Sequence, residues 1–243
     1  MRRTKDLLNL PEKIIIDEKV EMEPVQNAFY ENIKHGIVTQ VDKVKMSTAN
    51  LLAMCTRLRQ ATECPSVLTT ENIPSSKVDR CIDLAEQILS DPSEKVVIFS
   101  VFKEELIRIC DRLQKYKPLL CTGDVSDEVI TRNRIAFQED NEHRVIVCTC
   151  QKMGTGVTLN RAHYAIFLST PWTEGVQTQC EDRIHRIGTN QTVFIYRLWT
   201  HNTFDERVLD ILNTKGALSE YVIDDTVTEQ TINILRQYIM DLK

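Results

Sequence analysis

The sequence predicts an α/β protein built on a doubly wound parallel sheet. Three observations predict it. From Ser76 onward, short apolar runs alternate with amphipathic stretches of helical length. Two of the runs, Lys95 to Ser100 (KVVIFS) and Arg144 to Thr149 (RVIVCT), are almost wholly apolar, as parallel strands buried on both faces must be. The runs end in small polar residues or glycine: Ser100, Thr122-Gly123, Thr149-Cys150 and Ser169-Thr170. In doubly wound sheets, ligands collect outside such carboxyl ends.

Each element follows from its local pattern. Lys13 to Glu23 alternates around Ile14-Ile15-Ile16 and reads as a strand. Pro24 to Ile33 reads as a helix with Val25, Ala28, Phe29 and Ile33 on one face. Ser47 caps a stronger helix over Ser47 to Ala61, with Leu51, Leu52, Cys55 and Leu58 as its apolar surface. Pro65, Pro74, Ser75 and Ser76 mark a connector. Helices are then expected over Ser76 to Leu89, Phe102 to Tyr116, Asp127 to Gln138 and Glu174 to Ile187. Strands are expected at Pro118 to Cys121, Ala165 to Leu168 and Val193 to Leu198, besides the two apolar runs. Asp205 to Leu212 and Val227 to Leu242 read as closing helices.

Composition bounds the function. The 243 residues carry 30 Lys+Arg against 35 Asp+Glu, a net charge of −5, with 42% apolar and 27% charged residues. That is ordinary globular composition and excludes collagen-like, disordered and membrane classes. MRRTKDLLNL is basic but has no apolar core, so it does not read as a secretory signal. Residues 217–243 hold Glu220, Asp224, Asp225, Glu229 and Asp241 against Arg236 and Lys243, so much of the acidity is terminal. An anionic partner is therefore not excluded, because local surface charge decides such binding. The eight cysteines include no CxxC and sit in apolar or helical contexts. They read as reduced core thiols, which implies an intracellular compartment, cytoplasm or nucleus. Glycine is scarce, with seven in the chain. Four of these (Gly154, Gly156, Gly175 and Gly188) lie close together, where the backbone must need freedom.

Two segments carry candidate chemistry. Thr149 to Asn160 (TCQKMGTGVTLN) leaves a buried strand through Gly154 and Gly156. It is either a close approach of backbone to a ligand or an ordinary glycine turn. Gln179 to Gly188 (QCEDRIHRIG) places Gln179, Asp182, Arg183 and Arg186 three and four apart, which is one face of a helix. Two forked guanidiniums on that face suit a polyphosphate, and Glu181 or Asp182 could hold them in place. The bland reading of the same run is a solvated charged face. His185 is a weaker candidate for a general base, because its ring should point off the arginine face. Arg57, Arg59 and Lys45 read first as a solvated helix face and second as phosphate contacts.

The combination resembles the second RecA-like lobe of the Swi/Snf family of ATP-dependent DNA translocases, a superfamily-two helicase-like group. The resemblance runs in order through Arg2-Arg3-Thr4-Lys5, Leu10-Pro11-Glu12-Lys13, Leu58-Arg59-Gln60, Ser75-Ser76-Lys77 and Lys95 to Ser100. It continues through the Thr149 to Gly156 motif, Pro171-Trp172, the Gln179 to Gly188 motif and Thr203-Phe204-Asp205-Glu206. The chain departs from the family pattern at four places. Ser169 stands for an Asp, Thr173-Glu174 for Asn-Pro, and Met153 for the first of paired glycines. Asn190 or Gln191 stands for a final Gln.

The resemblance implies a RecA-like doubly wound parallel sheet with flanking helical segments. Residues 1–75 would be a lobe-joining strand and helical segment, 76–213 the lobe, and 214–243 a C-terminal helical brace. It implies that Arg186 is the arginine finger and Arg183 its companion on ATP. Gln179, Gly154, Gly156 and Asp182 would face the nucleotide. Ser100, Thr149, Lys152 and Trp172 would lie toward double-stranded DNA, Trp172 as a packed residue between motifs or as a direct contact. ATP and Mg would be held mainly by a first RecA-like lobe, since the sequence has no Gly-Lys dipeptide and hence no P-loop. Ile14-Ile15-Ile16-Asp17-Glu18 imitates a Walker B strand, but only 13 residues precede it. Asp17 and Glu18 are expected to be exposed charges, with no metal site in this chain. The expectation is half of a two-lobe motor, either a piece of a longer protein or a partner to a separate lobe. The alternative is an inactive nucleotide- or DNA-binding or interaction module of the same fold.

Overall fold

Six strands form one sheet: β1 (Lys13–Val20), β2 (Val96–Ser100), β3 (Leu119–Cys121), β4 (Val145–Thr149), β5 (Tyr164–Phe167) and β6 (Val193–Thr200). The structure is a computed structural model describing residues 10–44, 46–154, 158–213 and 229–242. Strand order is β1-β6-β5-β2-β4-β3. The pairs β2–β4, β2–β5, β3–β4 and β5–β6 are parallel. The β1–β6 pair runs the same way: Val193 N–H donates to the Glu12 carbonyl, and eight residues on, His201 N–H donates to that of Val20. All carboxyl ends therefore open on one edge. Val96–Ser100 and Val145–Thr149 are buried along their whole length, as their apolar runs require.

The helices are α1 (Pro24–Lys43), α2 (Thr48–Glu63), α3 (Ser76–Leu89), α4 (Glu104–Arg112), α5 (Asp127–Glu139), α6 (Glu174–Ile184), α7 (Phe204–Asn213) and α8 (Glu229–Met240). Ser47 caps α2 as expected, its hydroxyl accepting from Asn50 N–H. α1 and α4 depart from the sequence reading. α1 runs a further ten residues past Ile33, because Ile37, Val38 and Val41 continue its buried stripe beyond Gly36. The stretch expected as one helix over 102–116 is α4 followed by a 3-10 turn, Gln114–Tyr116, which stops at Lys117 with φ of 48°.

The chain divides into two compact units. One takes the described parts of Met1–Glu18, Arg80–Pro171 and Gly175–Leu198, and the other takes Lys19–Asp79, Trp172–Glu174 and the described parts of Trp199–Lys243. The first unit's core is the sheet interior, with Phe99 stacked on Phe167 at 4.8 Å and Phe137, Ile146, Cys148 and Ile195 around them. The second unit packs α1, α2, α7 and α8 around Tyr30, Leu51, Leu58, Phe204 and Ile239. Buried Gln26 knits it together. Its amide nitrogen donates to the Ala61 and Thr62 carbonyls at 3.1 and 3.0 Å, and its oxygen accepts from Ser76 N–H at 2.9 Å. One side chain thus satisfies groups at the end of α2 and the start of α3 that neither helix can bond internally. No described helix is long and apolar enough to cross a membrane.

Candidate functional site

The arginine segment is not one helix. α6 ends at Ile184, and His185 N–H to the Glu181 carbonyl at 2.9 Å continues its ladder one residue further. Arg183 is in the last turn, but Arg186 has left the helix, which corrects the expected span to Ile187. The cause is Thr189. Its hydroxyl donates to the Ile184 carbonyl at 2.8 Å and accepts from Arg186 N–H at 3.2 Å. Its own N–H donates to the Arg186 carbonyl at 2.9 Å. These bonds answer groups that a further helical turn would have answered. Gly188 completes the exit with φ of +99°, a conformation L side chains rarely adopt. Arg186 and Ile187 are exposed, Ile187 by 66%, and Arg183 is half-buried.

The segment after the glycines meets this loop. Arg186 Nη1 donates to Thr158 Oγ1 at 3.0 Å, and Leu159 N–H donates to the Arg183 carbonyl at 2.7 Å. Asn160 lies against Gly188, and its side-chain oxygen accepts from Gln138 at 2.7 Å. The two motifs singled out in the sequence are therefore neighbours. Gly154 closes a 3-10 turn, Cys150–Gly154, while Gly156 lies outside the described residues.

One of the acids beside the arginines departs from expectation. Glu181 is buried and accepts from Gln177 at 2.9 Å and from Lys13, so it does not hold the arginines. Helical periodicity explains this. Gln177, Cys180, Glu181 and Ile184 form the buried face of α6, while Gln179 is exposed and Asp182 half-buried. His185 Nε2 donates to the Pro11 carbonyl at 2.7 Å, which fixes the tautomer and engages that nitrogen. Asp17 is exposed, as expected, Glu18 is half-buried, and both are paired. Arg197 grips Asp17 bidentately at 2.6 and 2.7 Å, and Arg80 holds Glu18 at 2.9 and 2.7 Å. Among the described residues no group of three or more His, Cys, Asp or Glu is arranged to hold a metal.

At the sheet edge, Ser100 is fully buried, and its hydroxyl accepts from Phe102 N–H at 2.8 Å. Ser169 accepts from Val101 N–H at 2.8 Å and lies 3.3 Å from Ser100 Oγ. The two serines shape the loop after β2 from inside, and Thr149 is likewise buried. The accessible cations here are Lys152, paired with Asp127 at 2.9 Å, and Lys103, paired with Asp124 at 2.5 Å. Lys103 escaped the sequence reading, although its place three residues after a strand end was the available signal.

All eight cysteines are free thiols and seven are buried. Cys121 and Cys148 face each other across β3 and β4. A hydrogen bond from the Cys148 thiol, helped by Asn133, holds Cys121 below the usual thiol range, and burial raises Cys148 well above it. Cys180 of α6 donates to the Cys150 carbonyl at 3.7 Å, tying the arginine helix to the turn that carries Lys152.

Trp172 belongs to the second unit. The Arg59 guanidinium lies 5.0 Å from its ring centroid, and Phe204 meets it edge-on at 5.9 Å. Lys77 donates to Asp205, 128 residues further along the chain, at 2.9 Å. Asp205 also accepts from Thr200 N–H at 3.2 Å and Thr62 Oγ1 at 3.4 Å. The LRQ, SSK, Pro-Trp and TFDE landmarks thus contribute to one buried cluster.

Residues 76–188 match the helicase conserved C-terminal domain. An uncharacterized ATP-dependent helicase of Mycoplasma genitalium is 28% identical over 236 residues, covering 93% of this chain and 22% of that protein. The chain spans about a fifth of the length of this helicase and of its Mycoplasma pneumoniae counterpart. The SWI2/SNF2 ATPase core of Sulfolobus solfataricus in complex with dsDNA superposes with TM-score 0.76 at 23% identity, over 98% of this chain and 52% of that one. The C-terminal part of the Fun30 ATPase domain superposes with TM-score 0.75 at 19% identity, over 96% and 99%. Residues 76–188 thus resemble the helicase conserved C-terminal domain, and the fold is that of the C-terminal RecA-like lobe of Swi2/Snf2 ATPases.

Proposed function

We propose that this chain is the second motor lobe of a DNA-dependent ATPase and translocase, with residues 76–213 as the lobe, 1–75 joining it to a first lobe and 214–243 bracing it. ATP and Mg are held mainly by that first lobe, across from the arginine loop. The supporting observation is the loop itself: an exposed Arg186 whose backbone is fixed by Thr189 and whose guanidinium is steadied by Thr158. A preset cation beside a phosphate costs little reorganisation when charge develops, which is what an arginine finger supplies. Arg183 is its companion, and Gln179, Asp182 and the Gly154–Gly156 segment face the nucleotide. Among the described residues the acids of β1 are engaged by Arg197 and Arg80, and none is assigned to Mg.

Double-stranded DNA is gripped through phosphates at the carboxyl edge of the sheet, by Lys152 and Lys103 on loops that Ser100 and Thr149 shape from within. Trp172 acts as a packing residue. Such contacts are sequence-independent and weaken steeply with salt.

The test is DNA-stimulated ATP hydrolysis by the protein that carries this lobe together with its first lobe. Arg186→Ala is expected to lower kcat by about 10³–10⁵. Unchanged turnover in a folded variant refutes the finger and leaves the inactive-module reading. The 243-residue chain alone is expected to hydrolyse no ATP, and turnover by it would refute the half-site reading.

A further inference from the structure

We infer that Thr189 is a positioning residue for the arginine finger, its hydroxyl setting where Arg186 leaves the helix; this rests on the finger reading above. Thr189 is 6% exposed, so its hydroxyl faces the loop and not solvent. It makes two bonds at once, to the Ile184 carbonyl and from the Arg186 N–H. The first belongs to the last residue of α6 and the second lies two residues beyond it. In a continued helix, Arg186 N–H would bond the Asp182 carbonyl, and Ile184 would accept from Gly188 N–H. Arg186 would then sit three residues above Arg183 on the same helical face. The hydroxyl competes for the same donor and the same acceptor, and it holds the alternative in which Arg186 is released toward Thr158.

Sequence chemistry narrows what can do this. The side chain must be short, must both donate and accept, and must follow a residue at positive φ. Gly188 supplies that φ. Thr189 follows that glycine directly. A β-branched hydroxyl has few rotamers, so little side-chain freedom remains to be lost on bonding. Valine has the same shape without the hydroxyl, and serine keeps the hydroxyl without the methyl.

The experiment compares Thr189→Val, Thr189→Ser and Arg186→Ala, and combines Thr189→Val with Arg186→Ala, in the protein completed by its first lobe. Thr189→Val is expected to lower kcat about 10- to 100-fold, as small displacements of a catalytic group do, with KM for ATP nearly unchanged. Thr189→Ser is expected to restore most of kcat. In the Arg186→Ala background, Thr189→Val is expected to change kcat little, because the residue it positions is gone. An independent reading comes from amide hydrogen exchange of this chain. The Arg186 N–H is expected to exchange about tenfold faster in Thr189→Val and not in Thr189→Ser, the loss of one net hydrogen bond.

Three results overturn the inference while leaving the finger intact, provided Arg186→Ala is strongly impaired. They are an active Thr189→Val, a Thr189→Ser as impaired as the valine, or a Thr189→Val defect that persists undiminished without Arg186. The last would mark a general loss of folding. An active Arg186→Ala overturns the finger, and the positioning role with it.

Discussion

Lys77→Met is the sharpest test of how the second unit is held together. Lys77 is 1% exposed, with its ammonium 2.9 Å from Asp205 and 3.9 Å from Glu63. Methionine fills a similar volume but leaves the Asp205 carboxylate buried. Thr200 N–H and Thr62 Oγ1 remain to it, and neither carries a charge. Removing one partner of a buried pair costs about 3–5 kcal/mol, because the orphaned ion keeps its desolvation penalty and loses its compensation. For a chain of this size that is a fall in Tm of roughly 6–20 °C. Asp205→Asn in the same chain keeps an acceptor for Thr200 N–H and removes the charge. The double variant is therefore expected to lose less than the sum of the two single losses. Thermal and urea unfolding of the three variants measure this. A control is Lys103→Met, whose pair with Asp124 is shorter, at 2.5 Å, but largely exposed. No measurable change is expected there, since solvent screens the pair and both side chains regain freedom. If Lys77→Met falls within about 1 kcal/mol of wild type, or if the losses add, burial is not what gives the Lys77 pair its weight.

Two other variants test the first unit. Burial, with Arg161 and then Arg144 nearby, pulls the Lys95 amine down to about 8, although Asp140 opposes it. The unfolded amine titrates near the ordinary 10.5. Between those values the unfolded state binds more protons, so the Lys95 contribution raises stability as pH climbs from 8 to 10.5. Subtracting the unfolding curve of Lys95→Met from wild type isolates that slope, and a flat difference would contradict it. Gly188→Ala places a methyl 3.0 Å from Asn160 Nδ2 at φ of +99°. Asn160 can swing aside, but the backbone strain stays. The expected loss is about 1–3 kcal/mol in urea unfolding, and removing Asn160 recovers only the steric part.

Much of the fold was legible because its signals are local. KVVIFS and RVIVCT could be little else than buried parallel strands, and Ser47 announced α2 by its capping chemistry. α1 extends beyond its reading and through Gly36. Glycine inside a helix costs only about 1 kcal/mol against alanine, and three further buried residues outweigh it. The partners of Asp17 and Glu18 were hidden for the opposite reason. Nothing near them in the chain tells that Arg197, 180 residues away, and Arg80, 62 away, will meet them. Charge is written in the sequence, whereas its pairing depends on topology.

The arginine segment shows where periodicity itself misleads. Spacing of three is evidence for a shared face only while the helix lasts. Gln179, Asp182 and Arg183 obey it, and Arg186 does not. What ends the helix is a hydroxyl three residues beyond Arg186, acting on groups the helix would otherwise use. A continuous helix would have fixed both arginines to one rigid rod. The observed break gives Arg183 a position set by α6 and Arg186 a position set by Thr189, Gly188 and Thr158. Two cations aimed by separate supports can approach one phosphate from different directions, which a single helical face cannot provide. On that reasoning the departure from periodicity is itself the sign of a site, and the small residues after an arginine motif repay as close a reading as the arginines.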